Sequence, residues 1–365
     1  MAAASALRAE LEQQDPAFES TVVDSYTHAA SVVSRVVSDG YLGMVKTLPQ
    51  MYRFLYNRAE RATEVGPFRT WIHQFTAGNL RAMMQEMKPD VVICTHAFPC
   101  GVMAEYKKQF ADAPPVAGVV TDFAVHSFWM HENIELYAVA TPEMRAVMIA
   151  RGIRPERVIV SGIPVSPSFG YLPADVPALR AKLDLPRDRS IVLMMGGGLG
   201  IGPLSTMMRE LDTLDQPICA VAIVGRSSRS AERVLEAAHR VGYPMRVMGF
   251  VGNVDEYMHA SDVLITKPGG LTSAEALAAE VPMVLFKPLP GQEERNTRYL
   301  VDRQAAIRVK RAGDLPRAIS GLLSSERVRN EMRTAMRGLA KPNAAREVAG
   351  VILALAAEGS EEAIA

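Results

Sequence analysis

The stretch TKPGGLTSAEALAAEVPMVLFKPLPGQEERN (266–296) concentrates groups suited to an anion and to sugar hydroxyls. An apolar run ends at Thr266, and the two glycines at 269 and 270 let backbone approach a ligand closely. Thr272 and Ser273 stand where they can cap the helix that follows. Exposed N–H groups at a helix start form a ready anion site, and Lys267 places a cation at its mouth. Glu275, one turn further in, can accept hydrogen bonds from a ribose diol. A second apolar run leads into a polar loop holding Gln292, Glu293, Glu294 and Asn296. Amides and carboxylates are what a site needs to read hydroxyls, which both donate and accept. Taken singly, each half suits a plain strand–turn–helix with a solvated loop; together they favour a site.

MMGGGLGIGPLS (194–205) is a second glycine-rich strand–turn–helix pattern, weaker than a dinucleotide fingerprint because Ile201 stands where the last glycine belongs. Backbone N–H groups there can still cradle a diphosphate. In the first half, THAFPCG (95–101) and TDFAVHSFW (121–129) each end an apolar run and offer His96, Asp122 and His126. A carboxylate beside an imidazole can act as a general base; a hydrogen-bonded structural histidine is the plainer alternative. YLGMVKTLPQMYRFLYNRAER (41–61) mixes apolar and aromatic residues with Lys46, Arg53, Arg58 and Arg61. It suits a helix lying in a membrane interface and, equally, a core-facing helix with a basic outer side.

These residues need a scaffold. Apolar runs at 91–95, 116–122, 136–141 and 157–162 form one series, and runs at 190–198, 218–225, 245–250, 262–270, 282–288 and 305–310 a second. Strands apolar at nearly every position are buried on both faces, as in parallel sheets, and helices between them imply right-handed crossovers. The expectation is an α/β protein of two doubly wound, Rossmann-like domains facing across a cleft, with ligands at the carboxyl ends of the strands. The proline-rich GIPVSPSFGYLPADVP (162–177) reads as the linker, which divides the chain into domains 1–165 and 166–340. A terminal helix over 341–365 can pack back across the hinge. At the other end, AAASALRAELEQ reads as a helix with Ala3, Leu7 and Leu11 on one face and Glu10, Glu12 and Gln13 on the other. Pro16 stops it, and FESTVVDS (18–25) reads as a short strand.

The 365 residues carry 40 Lys and Arg against 40 Asp and Glu, so no net field recruits nucleic acid. Three cysteines, 94, 100 and 219, match no metal or redox spacing and read as small buried residues of a reducing compartment. The opening residues do not read as a secretory signal, so none is expected. The apolar tail run VAGVILALAA (348–357) is about half of the roughly 20 residues a membrane span needs. The expected location is cytoplasmic, peripheral to a membrane at most.

The 266–296 stretch, preceded by MGGGLG and GF, resembles the nucleotide-sugar domain of the monogalactosyldiacylglycerol synthase and processive diacylglycerol glucosyltransferase family. TDFAVHSFW, SGIPV and YLGMVKTLPQMYRFLYN look like further family segments. The resemblance implies a GT-B glycosyltransferase of family 28, inverting and metal-independent, related to the lipid II N-acetylglucosaminyltransferase. Its partners would be UDP-glucose or UDP-galactose and diacylglycerol, at the inner face of the cell membrane, with no cofactor. By resemblance, Phe250 and Val251 hold uracil, Glu275 the ribose, and Gly270, Leu271 and Thr272 the diphosphate, with Lys267 neutralising it. Gly197, Gly198 and Arg226 join the donor side, and Gln292, Glu293 and Asn296 read the sugar. Asp122, His126 and His96 are the catalytic candidates. The family begins with a buried strand and a Gly-His loop before its first helix, and Met1 falls just after that histidine's place. Either Met1 is an internal methionine of a longer protein, which is the favoured expectation, or the chain is a truncated form of the family. N-acetylglucosaminyl transfer, a UDP-sugar epimerase and a non-catalytic UDP-sugar-binding protein are the rival readings.

Overall fold

The computed structural model describes residues 2–24, 67–197, 203–225 and 228–364. The basic aromatic segment 41–61, Gly198 and Arg226 lie outside them. The described chain forms two compact units, one of residues 1–165, 290–292 and 343–365, the other of 166–289 and 293–342.

The first unit is built on a four-stranded parallel sheet in the order β1 (Val92–Cys94), β2 (Val116–Val119), β3 (Leu136–Val139), β4 (Val158–Val160). Its helices are α1 (Ala2–Gln14), α2 (Pro67–Met87), α3 (Ala97–Gln109), α4 (Pro142–Ala150) and the terminal α13 (Ala344–Ile364). Leu7 and Leu11 of α1 share one apolar core with Val348, Ala349 and Ile352 of α13 and with Ala117, Val119, Leu136 and Ala138 of the sheet. Gln14 Nε2 donates to the Arg346 carbonyl at 2.9 Å, tying the two helices at their ends.

Two expectations for the opening segment need correction. Glu10 is buried, 6% exposed, because it lies at helical spacing from Ala3, Ala6, Leu7 and Leu11 and so belongs to the inner face. Residues 18–24 form no strand. The Ala17 and Phe18 N–H groups bond back to Asp15, and Ser20 Oγ donates to Glu12, so local turns take the groups a strand would pair.

The second unit holds a six-stranded parallel sheet in the order β10 (Ala306–Val309), β9 (Met283–Phe286), β8 (Val263–Thr266), β5 (Ser190–Met195), β6 (Ile218–Ile223), β7 (Met245–Met248). Its helices are α5 (Val176–Lys182), α6 (Leu204–Leu211), α7 (Ser228–Ala238), α8 (Val254–His259), α9 (Gly270–Ala278), α10 (Gln292–Asp302), α11 (Leu315–Ser324) and α12 (Glu326–Leu339). Strands β5, β6, β8 and β9 are almost wholly buried, as their unbroken apolar sequences require. All three cysteines are free and buried.

Candidate active site

The second sheet reverses direction at β5. From it the chain runs to β6 and β7 on one side, then crosses to β8, β9 and β10 on the other. Such a switch point opens a crevice between carboxyl strand ends, here those of β5 and β8, where Met195 and Thr266 are paired neighbours. The buried Thr266 hydroxyl donates to the Met195 carbonyl at 3.3 Å and pins the two strand ends together. Sequence reasoning used Thr266 only as a strand end; a hydroxyl closing an otherwise apolar strand was the available signal.

Helix α9 starts at this crevice. Gly269 is its N-cap, in extended conformation (φ −67°, ψ 142°), and supplies no side-chain oxygen. The Gly269 N–H turns back to the Lys267 carbonyl at 2.8 Å, and the first helical bond is from Ser273 N–H to the Gly269 carbonyl at 2.9 Å. The N–H groups of Gly270, Leu271 and Thr272 therefore have no acceptor among the described residues. The helix starts before Thr272 and Ser273, so neither caps it, contrary to expectation; Ser273 Oγ is buried in the first turn without a partner. A Cβ built on Gly269 would meet nothing within 4 Å, which leaves the approach to these amides open.

Glu275 stands in the next turn. No described group donates to its carboxylate, and burial alone lifts its pKa to about 7. A half-buried ionisable acceptor with no partner among the described residues has lost part of its hydration, which a ligand's donors can restore. Lys267 is committed otherwise: its Nζ lies 3.1 Å from Glu293 Oε1, and the two side chains are 11% and 18% exposed. Glu293 Oε2 accepts from the Leu289 N–H at 2.6 Å.

The supposed polar loop is the first turn of α10, with Glu293 and Glu294 at its positive end. Hydroxyl-reading residue types are also good first-turn residues, so their run did not distinguish loop from helix. Glu294 is held by Arg308 of β10 through contacts of 2.8 and 2.9 Å. Asn296 is fully buried and donates from Nδ2 to the Pro268 carbonyl at 3.0 Å. Of the four polar residues only Gln292 has no partner among the described residues.

At the end of β5, Gly197 takes φ +78°, a left-handed conformation that favours glycine, in a place where a Cβ would meet no neighbour. After β7, Phe250 is 64% exposed, and Val251 is half-buried. An aromatic face in water next to a glycine turn offers a flat ring a stacking partner.

The first unit gathers its candidates at the carboxyl ends of β1 and β2. Thr121 Oγ1 donates to the Thr95 carbonyl at 3.4 Å, which joins the loops carrying His96 and Asp122. His96 is the N-cap of α3, its Nδ1 accepting from Phe98 N–H at 3.2 Å. His126 caps the 3-10 turn Ser127–Trp129 in the same way, through Phe128 N–H at 3.1 Å. Each neutral ring therefore carries its proton on Nε2, with the tautomer set by a backbone amide. Desolvation by the surrounding loop holds the His96 pKa below the usual value, which favours the neutral ring. Tyr137 of β3 anchors the loop below His126: its OH accepts from His131 N–H at 2.9 Å and donates to the His131 carbonyl at 3.0 Å. Among the described residues no group of three or more His, Cys, Asp or Glu could hold a metal ion.

Comparison with known proteins places these observations. Residues 1–165 match the family model of monogalactosyldiacylglycerol (MGDG) synthase, and residues 191–348 that of the glycosyltransferase family 28 C-terminal domain. Among curated proteins, a processive diacylglycerol beta-glucosyltransferase of Bacillus pumilus is 32% identical over 90% of this chain and 85% of its own length. That of Bacillus subtilis is 31% identical over 91% of this chain and 86% of its own. Among solved structures, Acinetobacter baumannii MurG superposes with a TM-score of 0.55 at 18% identity, covering 78% of each chain. The S. aureus MnaA–UDP co-structure gives a TM-score of 0.57 at 14% identity over 78% of this chain and 80% of that one. At such identities the structural likeness speaks for the GT-B fold alone.

Proposed function

The chain belongs to the glycosyltransferase family of the monogalactosyldiacylglycerol synthases and processive diacylglycerol β-glucosyltransferases, and we propose that it transfers a hexose from UDP-glucose or UDP-galactose to the hydroxyl of diacylglycerol. The product would be a β-glycosyldiacylglycerol, formed with inversion by attack from the face opposite UDP. One observation carries the donor half of this reading: among the described residues, the unpaired N–H groups of residues 270–272 lie one turn before the unpartnered, half-buried Glu275. An anion and a diol, one helical turn apart, are what the diphosphate and ribose of UDP present.

The chemistry follows from those groups. As the anomeric C–O bond breaks, negative charge grows on the departing diphosphate. Three preorganised amides at the positive end of α9, with Lys267 beside them, stabilise that charge without reorganising. The reading invokes no metal. Phe250 and Val251 take uracil, the Gly197 turn lies along the diphosphate, and Gln292 is the free amide for a sugar hydroxyl. On the acceptor side Asp122, His126 and His96 are the groups able to receive the hydroxyl proton, each imidazole once its ring has turned or exchanged tautomer. Diacylglycerol lies in a bilayer, so the protein would work as a peripheral enzyme at the inner face of the cell membrane. No helix among the described residues is long and apolar enough to cross one.

The test is a transfer assay. Purified protein is incubated with vesicles containing diacylglycerol and with UDP-glucose, UDP-galactose or UDP-N-acetylglucosamine, with and without EDTA, and the lipids are examined by mass spectrometry and proton NMR. One hexose added to diacylglycerol with a β-anomeric coupling, unaffected by EDTA, is the expected result. Donor binding with no transfer to any acceptor would overturn it in favour of a nucleotide-sugar-binding role, and hydrolysis or epimerisation of the donor would overturn it in favour of an epimerase.

A further inference from the structure

The donor crevice takes the carboxyl ends of the second sheet, and the amino ends hold another opening. A cleft of about 440 Å³ lies where β5 begins at Ser190 and where Pro217 and Asp262 lead into β6 and β8. The length of β5 separates the two, roughly 17 Å along the strand. Arg180, Arg187 and Arg189 line the cleft against Asp188 and Asp262. Arg180 is committed, donating to the Ala260 carbonyl at 2.9 Å and to Asp262 at 2.8 Å. Arg189 comes no nearer to Asp188 than 4.0 Å. Arg187 is exposed and has no hydrogen bond or ion pair among the described residues.

The cleft also holds an acceptor without a donor. Gln216 turns its Nε2 to α11, donating to Ser324 Oγ at 2.6 Å and to the Ser320 carbonyl at 3.5 Å. A carbonyl only accepts, so it fixes which way the carboxamide is turned. Gln216 Oε1 is thereby left buried with no partner among the described residues. Folded proteins leave few buried polar atoms in that state, and each needs a reason.

We propose that this cleft is a second small-molecule site and that it takes a free sugar phosphate. Guanidinium groups match the geometry of phosphate oxygens, and Arg187 and Arg189 stand two residues apart in the loop before β5. A sugar hydroxyl supplies the donor that Gln216 Oε1 lacks, while the Ser190 and Ser324 hydroxyls can donate and accept beside it. The volume falls in the range of small-ligand sites. Pro217 and Leu323 are the only apolar lining residues, so the cleft offers no seat for an acyl chain and the ligand is a soluble one. Neither carboxylate stands against the phosphate. Asp262 is engaged by Arg180 and by the Ile191 N–H at 2.7 Å, and Asp188 is 81% exposed to water. The site does not depend on the donor reading.

The test is calorimetry on the full chain with glucose 6-phosphate, inorganic phosphate and glucose, repeated in the presence of UDP and of phosphatidylglycerol vesicles. Glucose 6-phosphate is expected to bind about tenfold more tightly than inorganic phosphate, the worth of one added hydrogen bond, with no displacement by UDP or by the vesicles. Arg187→Ala should weaken glucose 6-phosphate about tenfold. Gln216→Ala should abolish its advantage over inorganic phosphate. Thermal unfolding checks that both variants fold, and Arg187, exposed and unengaged, keeps the test open if the Gln216 variant does not. Displacement by UDP would overturn the proposal by placing the sugar phosphate in the donor crevice. Displacement by the vesicles would assign the cleft to a lipid headgroup instead. Absence of binding at millimolar concentration, equal affinity for inorganic phosphate, or a folded Arg187→Ala variant with unchanged affinity would each overturn it as well.

Discussion

Glu275 is the residue on which solvent and ligand compete. Its carboxyl is raised from 4.5 to about 7 by burial with nothing to compensate the charge. The folded protein therefore holds this proton more tightly than the unfolded chain. Whatever stability the group allows is complete below its unfolded pKa and is lost as pH rises toward 7. Ligand binding has the opposite sign, because only the carboxylate accepts from both hydroxyls of a ribose. Uridine, which does not titrate in this range, should bind more tightly as pH rises through about 7 and then level off. Glu275→Gln should flatten that profile, weaken uridine, and stabilise the free protein at pH 8 by roughly 1–3 kcal/mol in urea unfolding. A Gln variant that keeps both the affinity and the slope would remove Glu275 from the site. The residue types of this site were legible in the sequence, since Lys, Glu, Asn and a glycine pair stand within 30 positions. Their engagements were not. Whether Glu293 faces a ligand or Lys267 depends on the placement of two elements separated by a whole strand.

At the scale of elements, legibility followed burial. All ten strands among the described residues lie within their apolar runs; those buried on both faces, such as β5, β6, β8 and β9, leave no position for a charged residue, whereas the edge strands β7 and β10 each carry an arginine. The errors fall where local side chains compete with the backbone. Asp15 and Glu12 draw residues 17–20 into turns where a strand was expected, and acidic residues opening α10 imitated a loop. Gly118 shows what pattern reading passes over. It sits in β2 beneath the ring of Tyr137, and a Cβ there would come within 2.8 Å of two ring carbons and 3.4 Å of Cys100 Sγ. The absent side chain is what lets Tyr137 lie across the sheet and reach the His131 peptide. Gly118→Ala should therefore displace the ring, cost about 1–3 kcal/mol in denaturant unfolding, and reduce turnover with little effect on uridine binding. An Ala variant as stable as wild type would show that the ring has room to shift.

On the scale of the whole molecule, each unit encloses its own sheet and core. Ligands and substitutions that touch one unit should therefore report on that unit. Scanning calorimetry is expected to resolve two transitions, of which UDP raises only the second unit's, by linkage. Ile352, fully buried between α1, α13 and the first sheet, provides the converse. Ile352→Ala should lower the other transition by the equivalent of about 2–4 kcal/mol and leave UDP binding unchanged. One transition, moved by both perturbations together, would mean that the units unfold as a single body.

The seam between α1 and α13 also sets an order of events during synthesis. Leu7 and Leu11 leave the ribosome early, but the partners that bury them, Val348, Ala349 and Ile352, follow more than 330 residues later. The second unit, nearly all of it contained in 166–342, can complete its sheet before those partners exist. The half translated first is thus the half that closes last: its apolar helix can meet the sheet residues 117–138 early but must wait for the rest of its cover until α13 is made. A nascent chain stalled before residue 344 would be expected to protect β5–β10 from protease while leaving α1 open to cleavage.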